Sequence, residues 1–367
     1  MSDYTAIDVA ELANAQAVVK GTGAADEGGL MQWRAAAAAP ATAPLRIVDE
    51  TNNADWFNYV NNLTALVPAL GCRELFDVRL QKHGVLFHGD AHISDESHLG
   101  SVATAETQEA GGASATTEVI VSDRPGIIFV GPGIRVFGHW LVDFIPRLRI
   151  AQNVLGNEFD DFVIPLPLGT PAWALNMMRE LCGVTDQNLV WFDPIAQTLE
   201  FRSVISPTYG HSSYHFHPAV ADFWPQSKAN GSGRRLCISR VNYEGHTDGV
   251  LKSFANRALF EEMAVSHGYE LVYPERLSLQ EQISLFGGAS HVMGEYGSAL
   301  HNTLFTPPGA VVGAIRCPND VQLRISALRN QTTVLLLPAQ EWIDDRGGQA
   351  YAVDSNSIEA FIKAMDS

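Results

Sequence analysis

Two stretches of this 367-residue chain hold residue types at spacings that could do chemistry. In Met293-Gly-Glu-Tyr-Gly-Ser-Ala-Leu-His-Asn302, an apolar run from Ser290 ends in two glycines three apart, Gly294 and Gly297. Ser298 stands where it can cap a short helix over Ala299 to Phe305, which Pro307-Pro308 stop. N–H groups ahead of a helix's first internal bond have no partner of their own and, with the helix dipole, favour an anion. The stretch reads as an anion cradle, or as a strand-to-helix turn that needs its glycines for backbone reasons alone.

The second stretch is Phe137-Gly-His-Trp-Leu-Val-Asp-Phe-Ile-Pro-Arg-Leu148, where His139, Asp143 and Arg147 recur every four residues. On a helix that spacing puts a proton acceptor, its carboxylate partner and a cation on one stripe. Pro146 either kinks such a helix or delays its start. The bland alternative is a half-buried helix whose His–Asp pair only satisfies polar groups. A third candidate is Arg240, closing Arg234-Arg235-Leu-Cys-Ile-Ser-Arg240 at the C-terminal end of an expected strand. Guanidinium forks grip phosphate oxygens in pairs, so Arg240 suits a diphosphate clamp, unless it merely pairs with a surface carboxylate.

Histidines invite a metal reading that the spacing does not complete. His211, His215 and His217 lack a well-placed Asp, Glu or Cys, and His88, His92 and His98 near Asp90 and Asp95 are no better. No metal is expected, and His211 is read as a loop histidine beside the site. The chain also lacks a G-x-S-x-G elbow, a P-loop and a G-x-G-x-x-G after its first strand, which disfavours the common serine hydrolases, P-loop NTPases and dinucleotide enzymes.

The elements that must position these residues follow from pattern. With 46% hydrophobic and 18% charged residues the chain is globular and long enough for two domains. A net charge of −17 without a basic run disfavours nucleic acid. Cys72, Cys182, Cys237 and Cys317 lie far apart and read as free thiols of a reducing compartment. Neither a signal peptide nor an apolar span is expected.

Residues 1–44, with one short helix over Ile7 to Val19 and Gly- and Ala/Pro-rich stretches, read as a loosely ordered extension. Residues 45–228 form an N-terminal α/β domain with a β-rich start. Its strands are expected at Leu45–Val48, Leu75–Leu80, Val85–His88, Val119–Val121, Ile127–Val130, Phe162–Leu166, Leu189–Phe192 and Phe201–Ile205, with a long loop from Ile93 to Thr117 and a helix over Pro171–Cys182. Ser227–Gly233 has linker composition. Residues 229–367 alternate strand and helix: strands at Leu236–Ser239, Glu270–Tyr273, His291–Met293, Ala310–Ile315 and Val334–Leu337, helices at Ala255–His267, Leu279–Phe286, Ala299–Phe305 and Ile358–Ala364. Ser278 and Glu281 make a capping box, and Gly287 is expected to close that helix in the left-handed region.

The two chemical stretches together resemble glycosyltransferase family 61 over roughly Phe137 to Ile315. The family's H-W-x-x-D-x-[LI]-P-R-L block is present as His139-Trp140-Leu-Val-Asp143-Phe-Ile-Pro146-Arg147-Leu148. Its second block is matched by Ser239-Arg240, Asn256-Arg257, Gln282 and Gly294-Glu-Tyr-Gly297-Ser-Ala-Leu300-His-Asn302, running on to Phe305 and Pro307-Pro308-Gly309. Tyr296 stands where many members have His, and Ser298 where they have Ala. The resemblance implies an α/β, GT-B-like fold: two Rossmann-like domains facing across a cleft, with β-rich N-terminal additions. It implies an inverting, metal-independent hexosyl- or pentosyltransferase of the bacterial polysaccharide type, moving a sugar from a nucleotide-sugar donor to a glycan or other hydroxyl acceptor without a further cofactor; the donor is read as UDP-linked, an identity that Tyr296 and Ser298 keep from being carried over from the family.

Under that reading Asp143 or His139 is the base, with Glu295 as rival. Arg240, Gln282, Gly294, Tyr296, Gly297, Ser298, Ala299 and Asn302 hold the donor, and Arg147 and His211 line the cleft. A cytoplasmic protein, peripheral at the inner membrane face, fits such a pathway. A non-catalytic carbohydrate- or nucleotide-binding protein of the same fold, and a metal-dependent hydrolase, stay open as alternatives.

Overall fold

The computed structural model describes residues 6–8, 30–49, 54–81, 85–89, 91–94, 118–131, 133–212, 215–225, 233–243, 252–317, 319–338, 340–345 and 347–367. The chain divides into two compact units, one of residues 1–37 and 66–213, the other of residues 38–65 and 214–367. The divisions drawn from composition after residues 44 and 228 fall elsewhere, for a pairing reason. Leu45–Asp49 runs parallel to Thr332–Leu337 as the last strand of the second unit's sheet, so this early segment belongs with the C-terminal half.

The first unit is built on a mixed sheet, not on the Rossmann-like parallel sheet expected of it. Its backbone is the long strand Leu70–Gln81, antiparallel to Gln197–Pro207 on one side and to Val85–His88 on the other. Leu30–Arg34 adds to Leu70–Gln81, and Ala91–Ser94 continues beyond Val85–His88. Leu75, Val78, Leu80, Leu199, Phe201 and Val204 share one core; alternation accounts for Val78 with Leu80 and Leu199 with Phe201, and the buried parity changes at Asp77, whose φ is 54°. Parallel pairs among the described residues are Glu118–Ser122 and Gly126–Ile127 against Gln197–Pro207, the short Ile164–Pro167 and Leu189–Phe192 pair, and Ala6–Asp8 against Ala91–Ser94, with a parallel bridge from Gly126 to Val163. The helix expected over Ile7 to Val19 starts as that strand, and its remainder lies outside the described residues. So do most of the 93–117 loop and the linker up to residue 232.

The second unit has the α/β alternation read from the sequence. The six strands of its main sheet are all parallel, in the order Glu270–Val272, Arg234–Ile238, Ala289–Glu295, Val311–Ile315, Thr332–Leu337, Leu45–Asp49. Counted from Arg234–Ile238, that is the order 2-1-3-4-5 extended by one strand, and the order reverses between Arg234–Ile238 and Ala289–Glu295. Helices Arg257–Ser266, Leu279–Gly287, Val321–Arg329 and Ser355–Asp366 connect or cover the strands.

Local signals explain the helix ends. Ser278 Oγ accepts from the Glu281 N–H while the Glu281 carboxylate accepts from the Ser278 N–H, the reciprocal box expected. Gly287 does not close that helix in the left-handed region; it is the last helical residue, and Gly288 follows at φ −96°. Asp354 caps the terminal helix through the Asn356 and Ser357 N–H groups. The helix Val321–Arg329, not foreseen, has an amphipathic pattern diluted by buried Gln322, Ser326 and Arg329, and Asn330 ends it at φ 51°. A three-stranded sheet of Lys252–Phe254, Gln349–Ala352 and Gln340–Ile343 was also not foreseen. No helix among the described residues is long and apolar enough to cross a membrane.

Candidate functional site

Helical structure runs from Phe137 to Leu155, and its irregularity answers the Pro146 question. Proline has no N–H to give the carbonyl four residues back, here Val142, and its ring crowds that carbonyl. The chain widens ahead of it into a π-helical turn over Trp140–Phe144, closed by the Ile145 N–H on the Trp140 carbonyl, and the α-helix Ile145–Leu155 then continues. Trp140 anchors the start: its indole N–H donates to the Ile134 carbonyl at 2.7 Å, and the ring is fully buried.

His139 and Asp143 meet as their spacing predicts. His139 Nδ1 lies 2.6 Å from Asp143 Oδ2, and the other carboxylate oxygen, Oδ1, lies 2.6 Å from Nε2 of His211. Burial alone pushes the Asp143 carboxyl up, but the hydrogen bonds from His139 and His211 outweigh it and hold the group well below the usual carboxylate range. A carboxylate only accepts, so the His139 Nδ1 carries a proton, and in the neutral ring Nε2 is the nitrogen with a lone pair. The His139 side chain is 34% exposed against 7% for Asp143 and 3% for His211. Gly133 sits against that ring at φ 86°, and a Cβ there would come within 2.6 Å of its Cδ2 and 3.1 Å of Nε2.

Arg147 continues the stripe but turns to the backbone. Its guanidinium donates to the carbonyls of Pro207 at 2.9 Å and Phe129 at 3.0 Å, and lies 4.5 Å over the Tyr209 ring. Buried this way, it ties the helix to the strand ends that carry His211.

In the second unit, Arg240 follows the strand Arg234–Ile238 and the glycine turn follows Ala289–Glu295, so both stand at C-terminal strand ends beside the point where strand order reverses. Open α/β sheets bind ligands at that place. Gly294 lies inside the strand, where a Cβ would meet the Ile238 carbonyl oxygen at 2.9 Å. Gly297 leaves room for Arg240, whose Nη1 would be 2.8 Å from a Cβ there and donates to the Tyr296 carbonyl at 3.2 Å. The helix after the turn is 3₁₀, Ser298–Phe305, and Gly297 precedes it as cap in place of the expected Ser298. Its first bond runs from the Leu300 N–H to the Gly297 carbonyl, which leaves the Ser298 and Ala299 N–H groups ahead of the ladder. Gly297, Ser298 and Ala299 are half-buried while the flanking Tyr296 and Leu300 are buried.

Other expected donor residues sit deeper. The Gln282 amide donates to the Leu277 carbonyl at 3.1 Å, and Asn302, fully buried, donates to the Ala299 carbonyl at 3.0 Å. Tyr296 turns its hydroxyl to Asn319 in the loop after the next strand, and burial pushes that phenol far up. These three shape the turn from beneath.

Both carboxylate oxygens of Glu295 have buried partners. Arg257 Nε stands 2.6 Å from one carboxylate oxygen, and the Tyr351 hydroxyl donates to the other at 2.9 Å, all three side chains being buried. Sequence reading quoted Arg257 in its motif without a role and passed over Tyr351. The Asn256-Arg257 pair before the helix was the available signal. Asn256 in turn accepts from the Val353 N–H and donates to its carbonyl, fastening the helix start to the chain after Gln349–Ala352.

The histidine triplet does not act as a set. His211 belongs to the first unit on Asp143, whereas His215 and His217 belong to the second, where His217 Nδ1 accepts from the Ala219 N–H. Among the described residues no group of three or more His, Cys, Asp or Glu side chains converges to hold a metal ion.

With this geometry established, the comparison with known families is specific. The family model described as Glycosyltransferase 61 matches residues 137–313, from the start of the His139 helix to the strand beyond the glycine turn. No curated protein matches the chain.

Proposed function

We propose, from a chain that belongs to glycosyltransferase family 61, an inverting transfer in which a sugar leaves a UDP-linked donor for a hydroxyl of a glycan acceptor. The observation that carries this reading is the His139–Asp143 contact at 2.6 Å, with His139 the more exposed side chain of the pair. His139 Nε2 takes the acceptor hydroxyl's proton as that oxygen attacks the anomeric carbon. Asp143 orients the ring and offsets the imidazolium that forms. The bond from the anomeric carbon to the diphosphate oxygen breaks, and the electron pair leaves with the diphosphate.

Arg240 and the N–H groups of Gly297, Ser298 and Ala299 take up the charge that builds on the leaving group. In this reading fixed dipoles and a guanidinium serve where other transferases use a divalent cation. Tyr296, Gly294, Gln282 and Asn302 hold the shape of the turn. Glu295 is a structural acid, not the base, because Arg257 and Tyr351 occupy both of its oxygens. A GT-B division of labour, acceptor chemistry on the first unit and donor binding on the second, is part of this proposal. So is a place in surface-polysaccharide synthesis at the cytoplasmic face of a membrane.

Thermal melts against a panel of nucleotide sugars identify the donor, since a ligand that binds only the folded state raises the melting temperature. Turnover with that donor then compares His139→Ala, Asp143→Asn and Arg240→Ala. Loss of about 10² to 10⁴ in kcat for His139→Ala with donor binding intact is expected of the base. Normal turnover in that variant removes His139 from the role, and binding without turnover in the native protein makes it a non-catalytic binder.

A further inference from the structure

Asp143 is held from both sides, and only one side is explained by the proposed base. His211, 68 residues away, brings its Nε2 to 2.6 Å from Oδ1, opposite the His139 contact on Oδ2. The other ring nitrogen of His211, Nδ1, faces the Ser212 carbonyl oxygen at 3.3 Å. A carboxylate and a carbonyl are both acceptors, so a ring set between them satisfies both only with a proton on each nitrogen. A neutral ring would point a lone pair at one of the two oxygens, in a side chain that is 3% exposed.

We propose that His211 is a positioning residue for the transfer: a buried imidazolium, facing an acceptor with each ring nitrogen, that fixes the Asp143 carboxylate and balances its charge, so that the His139 ring is left to take the acceptor's proton. The inference rests on the reading of His139 as the base. Its physical content is a charge count. A lone carboxylate 2.6 Å from His139 would favour the protonated ring, and a protonated base accepts nothing. A second cation on the same carboxylate cancels much of that pull while keeping both hydrogen bonds.

The surroundings are consistent with such a pair. From the helix, His211 faces Asp143 and, beyond it, His139. From its own segment it faces the Tyr209 ring, with centroids 5.7 Å apart, and Arg147 covers that ring at 4.5 Å. From the long strand, Cys72 lies near Arg147, its thiol pushed by burial up to about 12 and therefore uncharged. Arg147 spends its donors on the Pro207 and Phe129 carbonyls, which leaves Asp143 to the two imidazoles.

The test uses the full chain and has a readout that needs no substrate. Nitrogen-15 spectra of histidine-labelled protein at pH 7 should include a ring with both nitrogens protonated whose signals vanish in His211→Gln. A His211 ring protonated on one nitrogen only overturns the proposal whatever the protein's activity. For the reaction, His211→Ala should lose on the order of 10²-fold in kcat with donor affinity unchanged. The acid limb of its pH–rate profile should move to higher pH, because the Asp143 charge then acts on His139 alone. His211→Gln, which keeps a donor at the position but no charge, should recover most of kcat without restoring the pH limb. Unchanged kcat and an unmoved acid limb in a folded His211→Ala protein overturn it. Absence of turnover in the native chain counts against the transferase reading and leaves the spectroscopic result to decide on His211.

Discussion

Alanine at Gly297 and alanine at Gly294 are the same change three residues apart, with opposite expected consequences. At Gly297 the backbone is extended, φ 169°, so alanine brings no strain of its own. Its Cβ would lie 2.8 Å from Arg240 Nη1, against the 3.4 Å at which ordinary contact begins, so the guanidinium must withdraw by about 0.6 Å. The displaced group is the tip of a long, half-buried side chain, and the expected stability change is within about 0.5 kcal/mol. If Arg240 grips the leaving diphosphate, however, that shift matters. A misplacement of about 1 Å costs on the order of 10²-fold in rate, so roughly a tenfold fall in kcat is expected here.

At Gly294 the Cβ would lie 2.9 Å from the Ile238 carbonyl oxygen and 3.0 Å from Ile238 Cβ, in the neighbouring strand. Backbone cannot swing aside as a guanidinium can, and the two strands must part. Overpacking of this kind costs about 1 to 3 kcal/mol. For a unit of this size that lowers the melting temperature by roughly 2 to 12 °C. The assay pairs a thermal melt with turnover on the donor found by the panel screen. Normal turnover in Gly297→Ala would remove Arg240 from the leaving-group role. A Gly294→Ala protein that melts like the native one would refute the close approach of the two strands.

Glu295→Gln leaves Arg257 buried without its counter-charge and should destabilise the fold by about 3 to 5 kcal/mol in a denaturant titration, while kcat per folded molecule stays within a few fold of native. A collapse of kcat in the folded fraction would restore Glu295 as base. Because the Asp143 carboxyl is held below its unfolded range, its stabilisation is complete above the unfolded value of about 3.9 and is lost as pH falls through the lower folded value. Unfolding free energy measured from pH 6 downward should therefore decline below about pH 4, and Asp143→Asn should flatten that slope. Burial raises the thiols of Cys72 and Cys182 to about 12, so iodoacetamide at pH 8 should leave both unmodified in the native protein and alkylate both in denaturant, as read by peptide mass spectrometry.

How far the fold could be read from the chain differed between its halves for a physical reason. From Arg234 onward, strands and helices alternate with short links, and each boundary carries its own punctuation, as with Ser278 and Glu281. A parallel sheet is then the only simple way to pair the strands. In the first half, the sequence showed short apolar runs but not their partners. That Leu70–Gln81 pairs antiparallel with Gln197–Pro207, more than a hundred residues away, is decided by which apolar faces can be buried together. The same holds for Leu45–Asp49, read as the start of one domain and found as the edge strand of the other.

What the sequence determined by itself is what the backbone repeat enforces locally. Four-residue spacing brought His139 to Asp143, Gly294 let its strand approach Ile238, and Gly297 let the turn approach Arg240. The partners were decided only by the tertiary structure: His211 on Asp143 across 68 residues, the Pro207 carbonyl on Arg147 across 60, and Arg257 and Tyr351 on Glu295 across 38 and 56. Periodicity fixes which face a residue occupies, but a buried charge must find its counterpart wherever the packed chain brings one. That requirement set Arg257 and Tyr351 on Glu295 and backbone carbonyls on Arg147, and it left His139 with the more exposed imidazole on Asp143.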